Sequence, residues 1–281
     1  MIKFGPSGNS ELFRLSGFSE SIHSPKWVKE MGLDLFEYSF GRGVNLSKEK
    51  AEIIGRAFSD FNVELSVHAP YFINFATTEE DKANNSYRYV LQSLEFAKIM
   101  GAKRVVFHPS SQGKLSWDEA VELTKKRLTI LADKIYEKGY DDMLVCPETM
   151  GKSAQIGTEK EIAEFCTIAP FYVPAIDFGH LNARTNGGLK TVEDFIKVLD
   201  VIESIAGREK LEKMHVHFSK IMYSGKGEVK HLTFADTEYG PEFSLLAKAL
   251  KVKGVEPYVV CESAGTQDVD AKEMKNIYFN S

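Results

Sequence analysis

Eight short runs of β-type residues, separated by stretches with helical punctuation, constrain this chain more than any other feature. They are Ile2–Pro6, Leu35–Phe40, Glu64–Pro70, Arg104–Pro109, Met143–Glu148, Val173–Asp177, Lys213–Phe218 and Pro257–Glu262. Spread over 281 residues, they recur about every 35 residues, the length of one βα unit with its loops. Strict alternation of strand and helix argues for parallel strands with helices outside. The expected fold is α/β, a single (β/α)8 TIM barrel over residues 1–281, because that fold typically uses about 250 residues as one domain. A doubly wound open sheet also alternates. However, neither G-x-G-x-x-G nor G-x-x-x-x-G-K-[ST] follows the first run, so no nucleotide cofactor is expected. No linker or low-complexity segment divides the chain.

Helix starts fall between the runs. Ser24-Pro25 offers an N-cap with Pro at the first helical position, and Ser47 opens an amphipathic run ending near Phe61. Thr78-Glu79-Glu80-Asp81 begins a long helix that reaches Met100 and stops at Gly101. Ser116, Thr158 and Thr191 read as further starts, the first two with capping-box spacing to Glu119 and Glu161. A final helix is expected over Pro241–Leu250, before Gly254.

The chemistry sits where the strands end. His68 and His108 end the third and fourth runs, Glu148 the fifth, Asp177 the sixth and Glu262 the eighth; His215 lies in the seventh. Six consecutive strands thus bring a His, Asp or Glu to one rim, where barrel enzymes build their sites. Carboxylates closing apolar runs need a partner, and a divalent cation supplies one. Imidazole and carboxylate donors suit Zn, Mn or Fe. Cys146, Cys166 and Cys261 form neither a C-x-x-C pair nor an even framework, which argues against a thiolate zinc site and fits a reducing, cytoplasmic setting. Met1–Pro6 has no signal-peptide core, and no apolar run approaches the ~18 residues of a membrane span. The formal charge of −5, from 35 basic and 40 acidic residues, by itself favours a small-molecule enzyme over a nucleic-acid binder.

Several segments resemble the endonuclease IV family of apurinic/apyrimidinic endonucleases, within the xylose isomerase-like barrels. His68-Ala69-Pro70-Tyr71-Phe72-Ile73-Asn74-Phe75-Ala76 is similar to that family's H-A-P-Y-x-I-N-[LF]-A. His108-Pro109, Glu148-Thr149, Asp177-Phe178-Gly179-His180 (against D-x-x-H) and His215-Val216-His217-Phe218-Ser219-Lys220 (against H-x-N-D-S-K) follow in order. The resemblance implies two or three Zn2+ ions, with Mn2+ or Fe2+ as alternatives. His68, His108 and Glu148 would hold one. Glu148, Asp177, His215 and Glu262 would hold a second, bridged by Glu148. His180 and His231 would hold a third. The implied reaction is hydrolysis of damaged or abasic double-stranded DNA 5′ to the lesion, with Glu148 fixing the metal pair and Glu262 orienting or deprotonating the attacking water.

Two departures bear on this. Where the family has Asp-x-His, this chain has Val229-Lys230-His231, and Glu228 stands one position earlier as the alternative ligand. His217 replaces an Asn and shares a strand face with His215, which makes it a candidate for phosphate contact, third-metal support or proton donation. Tyr71 and Phe72 match an apolar wedge that unstacks DNA, while Arg42 and Lys152 are candidate phosphate or groove contacts. Three bound Zn2+ would move the formal charge from −5 to about +1, which removes the charge objection to DNA. The competing expectation is a single-metal sugar isomerase or epimerase using Glu148, Asp177, His215 and Glu262 alone. A third is a metal-bound barrel that recruits nucleic acid without cutting it.

Overall fold

The computed structural model describes residues 1–281. Its eight main strands are β1 (Lys3–Pro6), β2 (Leu35–Ser39), β3 (Glu64–His68), β4 (Arg104–Phe107), β5 (Leu144–Pro147), β6 (Ala175–Asp177), β7 (His215–Phe218) and β8 (Tyr258–Cys261). All pair in parallel, as β2-β3-β4-β5 and β6-β7-β8-β1. Isolated parallel bridges close the two seams: Ser7 to Glu37 between β1 and β2, and Val145 to Tyr172 and Glu148 to Ala175 along β5 and the segment that leads into β6. The result is a (β/α)8 TIM barrel. Gly5 shows how tight the first seam is, since a Cβ there would lie 1.7 Å from the Leu35 carbonyl oxygen. Any side chain would force the strands apart.

Strand pairing stops earlier than the apolar runs. β4 ends at Phe107, β5 at Pro147 and β8 at Cys261, so His108, Glu148 and Glu262 each stand one residue past the end of their strand. Their side chains therefore reach the barrel mouth instead of its packed interior. Outside the strands, apolar faces of the helices bury one continuous core from Ile2 to Tyr278. Helix Glu80–Met100 ends at Gly101, whose φ of 75° is the left-handed cap conformation. Capping boxes form at Ser116 and Thr158 as expected, and also at Thr191, where Asp194 replaces the usual Glu.

Three expectations about the helices are corrected. His23, not Ser24, caps helix Ser24–Glu30, because a 3-10 turn over Ser21–His23 runs directly into it. The helix expected over Pro241–Leu250 spans Phe243–Lys253. It is not the last one: helix Gln267–Asn280 follows and packs Ala271, Met274 and Tyr278 onto the barrel. That stripe is narrow, and Thr266 makes no side-chain cap, so the usual start signal is absent.

Candidate metal centre

The site begins with the ends of β3, β4 and β5. His68 and His108 approach one oxygen of Glu148, Oε2, each with Nε2 at 3.1 Å. The other ring nitrogen of His68, Nδ1, lies 2.8 Å from the Ala69 carbonyl, which orients the ring so that Nε2 faces inward. These three residues form one group whose donor atoms lie within 4.8 Å of one another.

Asp177 ends β6 and caps the helix that follows, Phe178–Arg184. Its Oδ1 accepts the His180 N–H at 2.7 Å. This cap explains the three-residue spacing, because it places the His180 ring beside the carboxylate, with Nδ1 at 3.3 Å from Oδ2. Oδ2 itself is buried and has no hydrogen-bond partner.

The two strand-seven histidines lie differently from the sequence expectation, which set His215 at the rim. In register, His217 lies opposite Asp177, whereas His215 lies opposite Ala175, one layer deeper. His217 therefore joins Glu148, Asp177 and Glu262 in a second group. Its Nδ1 is 2.8 Å from Glu148 Oε1 and 3.6 Å from Glu262 Oε1. His215 instead faces Glu37, with Nε2 3.0 Å from Oε2. His217 is fully buried and is not among the residues of the cleft wall. Glu37 was not anticipated, because a single carboxylate inside a half-buried run reads as an outward-facing polar residue.

A third group joins His180, Glu228 and His231. The last two sit on an antiparallel hairpin, Ile221–Ser224 with Gly227–His231, that folds over the rim. Ile221 pairs with His231 and Met222 with Lys230, but Tyr223 pairs with Glu228. Val229 is thus the extra residue of a β-bulge, and its side chain is 52% exposed. A bulge re-aims the residues beside it. Glu228, not residue 229, turns inward, with Oε2 3.6 Å from His180 Nε2 and Oε1 3.9 Å from His231 Nε2. Gly151 clears the space, since a Cβ there would lie 2.7 Å from Glu228 Cβ and 2.9 Å from His180 Cδ2. Ser219 Oγ holds the other side of the His231 ring at 2.8 Å from Nδ1.

Electrostatics show why this cluster suits cations. Burial, reinforced by Glu262 and Glu148, pushes Asp177 up to about 6. Burial opposes protonation of His180, but Asp177, Glu148 and Glu228 prevail and raise it to about 9. His217 is likewise raised against its burial, by Glu262, Glu37 and Glu148. Glu148 is held well below the usual carboxylate range, despite burial, by His217 and His108. Converging carboxylates that depend on imidazolium protons, with the orphaned Asp177 Oδ2, fit a site for divalent ions. The donor set is His N and carboxylate O throughout, the chemistry of Zn, Mn and Fe sites.

Around the groups opens a cleft of about 660 Å³ whose wall includes His68, His108, His180, Glu228, His231 and Glu262. Tyr71 and Lys152 also line it, and Lys152 is exposed. Tyr71 and Phe72 are 55% and 58% exposed, so the pair stands out from the rim instead of packing into it. Tyr71 keeps its ring 5.7 Å from those of His68 and His108. Arg42 is exposed on the loop after β2 and is not on the cleft wall; the neighbouring Gly41 carbonyl accepts the Tyr71 N–H.

The family profile described as the xylose isomerase-like TIM barrel matches residues 25–277. The chain belongs to this family. An uncharacterized protein of Methanocaldococcus jannaschii is 31% identical over 84% of this chain and 84% of its own. A probable endonuclease 4 of Aquifex aeolicus is 24% identical over 91% and 93%. Two solved structures share the fold. A D-tagatose 3-epimerase-like protein matches with a TM-score of 0.76 at 20% identity, covering 99% of this chain and 97% of its own. Endonuclease IV from Thermus thermophilus matches with a TM-score of 0.69 at 17% identity, covering 99% and 100%.

Proposed function

We propose that this xylose isomerase-like barrel is a metal-dependent phosphodiesterase that cuts double-stranded DNA 5′ to abasic sites. The observation that carries this reading is three adjoining donor groups at the cleft, two of which share Glu148. A sugar epimerase needs one cation, and Glu148, Asp177, His217 and Glu262 suffice for it. The additional pairs, His68 with His108 and His180 with His231, have no place in that chemistry. A phosphodiester carries charge on several oxygens at once and suits several cations. The names of the endonuclease 4 relatives point the same way.

Bound ions would lower the pKa of a coordinated water and neutralise phosphate charge. The chain supplies the rest. Glu148, common to two of the donor groups, would help to hold two ions. Glu262, at the cleft wall, orients the attacking water and accepts its proton. Tyr71 and Phe72 project far enough to wedge the duplex at the lesion. Lys152, exposed on the cleft wall, contacts phosphate.

Element analysis of the purified protein is expected to find two or three divalent ions per chain. Incision of an abasic-site duplex is expected to fall at least about 100-fold in Glu148→Ala and in Glu262→Ala. A single ion, or turnover of a ketose without incision, would replace this reading with the epimerase one, and a chain that binds no ion would overturn both.

A further inference from the structure

Beneath the rim lies a second tier that none of the reactions above uses. Glu37 on β2 is completely buried in the barrel interior. Its Oε2 accepts the Ser66 hydroxyl at 2.9 Å and faces His215 Nε2 at 3.0 Å. Its Oε1 faces His217 Nε2 at 2.9 Å and makes no hydrogen bond. The two contacts to imidazole are close ion-pair approaches, not linear hydrogen bonds. A buried carboxylate is costly, and an apolar side chain of similar size would pack there at less expense. His217 stands between the tiers, its Nε2 toward Glu37 and its Nδ1 toward Glu148 and Glu262.

We propose that Glu37 is the positioning residue for His217: its carboxylate, 2.9 Å from Nε2, keeps a proton on that nitrogen, so that Nδ1, which meets Glu148 Oε1 at 2.8 Å, is the nitrogen left to give up its proton to a cation at the rim. Histidines that bind metals through one nitrogen characteristically give the other N–H to a carboxylate, which fixes both the tautomer and the ring. Glu37 supplies that carboxylate from a strand that contributes nothing to the rim groups. Ser66 anchors the far oxygen. The inference rests on the reading of the rim as a metal centre.

The decisive measurement is NMR of isotope-labelled histidine nitrogens in the full chain loaded with cadmium. His217 is expected to be protonated at Nε2 and coupled to the metal through Nδ1. A metal on Nε2, a proton on Nδ1, or coupling through both nitrogens would overturn the inference while leaving the rim reading intact. Wild-type protein that takes up no metal would overturn both. Glu37→Gln keeps the shape but loses the charge, and its dissociation constant for the metal is expected to rise about 10–100-fold. Ser66→Ala should shift it less, in the same direction. Unchanged affinity in Glu37→Gln would count against the proposal, and the wild-type spectrum decides it where the variant fails to fold.

Discussion

Glu148 is the residue on which the site turns. Four imidazoles surround its two oxygens: His68 and His108 at 3.1 Å, His217 at 2.8 Å and His180 at 3.6 Å. Without metal, some of these imidazoles carry the positive charge that metal would otherwise supply. His180, raised to about 9, holds its proton through neutral pH. The folded metal-free chain binds that proton more tightly than the unfolded chain. It therefore contributes stability below pH 6.5 that is lost as the pH rises through about 9. A metal must displace the proton, so metal affinity at the His180 group should rise with pH up to about 9 and then level off. Calorimetric titration with zinc at neutral pH, in two buffers of different ionisation enthalpy, is expected to show release of about one proton or more per ion. A heat independent of the buffer would contradict this. His68, His108, Glu148, Asp177 and Glu262 were legible in sequence because each closes an apolar run. The choice between His215 and His217 was not. Both face inward from β7, and only the pairing of His217 with Asp177 shows which one reaches the rim.

At the scale of elements, the hairpin after β7 is the part of the site that sequence pattern reads least well. Alternation along Gly227–His231 would put Val229 on the same face as His231 and leave the third group without a carboxylate. The bulge moves the alternation by one residue and turns Glu228 inward instead. A bulge has no fixed sequence signature, and so it was visible only as a mismatch of one position. Strand and helix order were far more legible, because strand ends, N-caps and Gly stops are local signals. The bulge makes a sharp prediction. Glu228→Ala should cost one bound metal ion, whereas Val229→Asp should leave the metal count unchanged because its side chain faces solvent. Val229→Asp should also fail to rescue Glu228→Ala. Gly151→Ala should mimic Glu228→Ala, since the added Cβ occupies the space of Glu228 and His180. Rescue by Val229→Asp, measured as metal equivalents per chain, would mean that the hairpin takes the unbulged register.

For the whole molecule, barrel closure gathers charge that composition spreads thin. Glu148 and Asp177 come from the fifth and sixth strands, Glu262 from the eighth and Glu228 from the hairpin between the seventh and eighth, and all converge on one mouth. Without metal, that mouth is where a phosphate backbone would meet carboxylates, on a chain whose formal charge is −5. Three divalent ions add six positive charges, nearly all of them at the cleft, and bring the total to about +1. Non-specific affinity for DNA is mostly electrostatic, so the metal should govern binding as well as cutting. A non-cleavable abasic duplex is expected to bind the zinc-loaded chain at least about tenfold more tightly than the chelated chain at low salt. The gap should narrow as salt rises, because the Debye length falls to about 8 Å at physiological ionic strength. Circular dichroism of the chelated protein separates loss of charge from loss of fold. Equal affinity with and without metal, in a chain that remains folded, would place the DNA contacts away from the cleft, on surfaces such as the Arg42 loop, and would leave the rim without a part in recognising DNA.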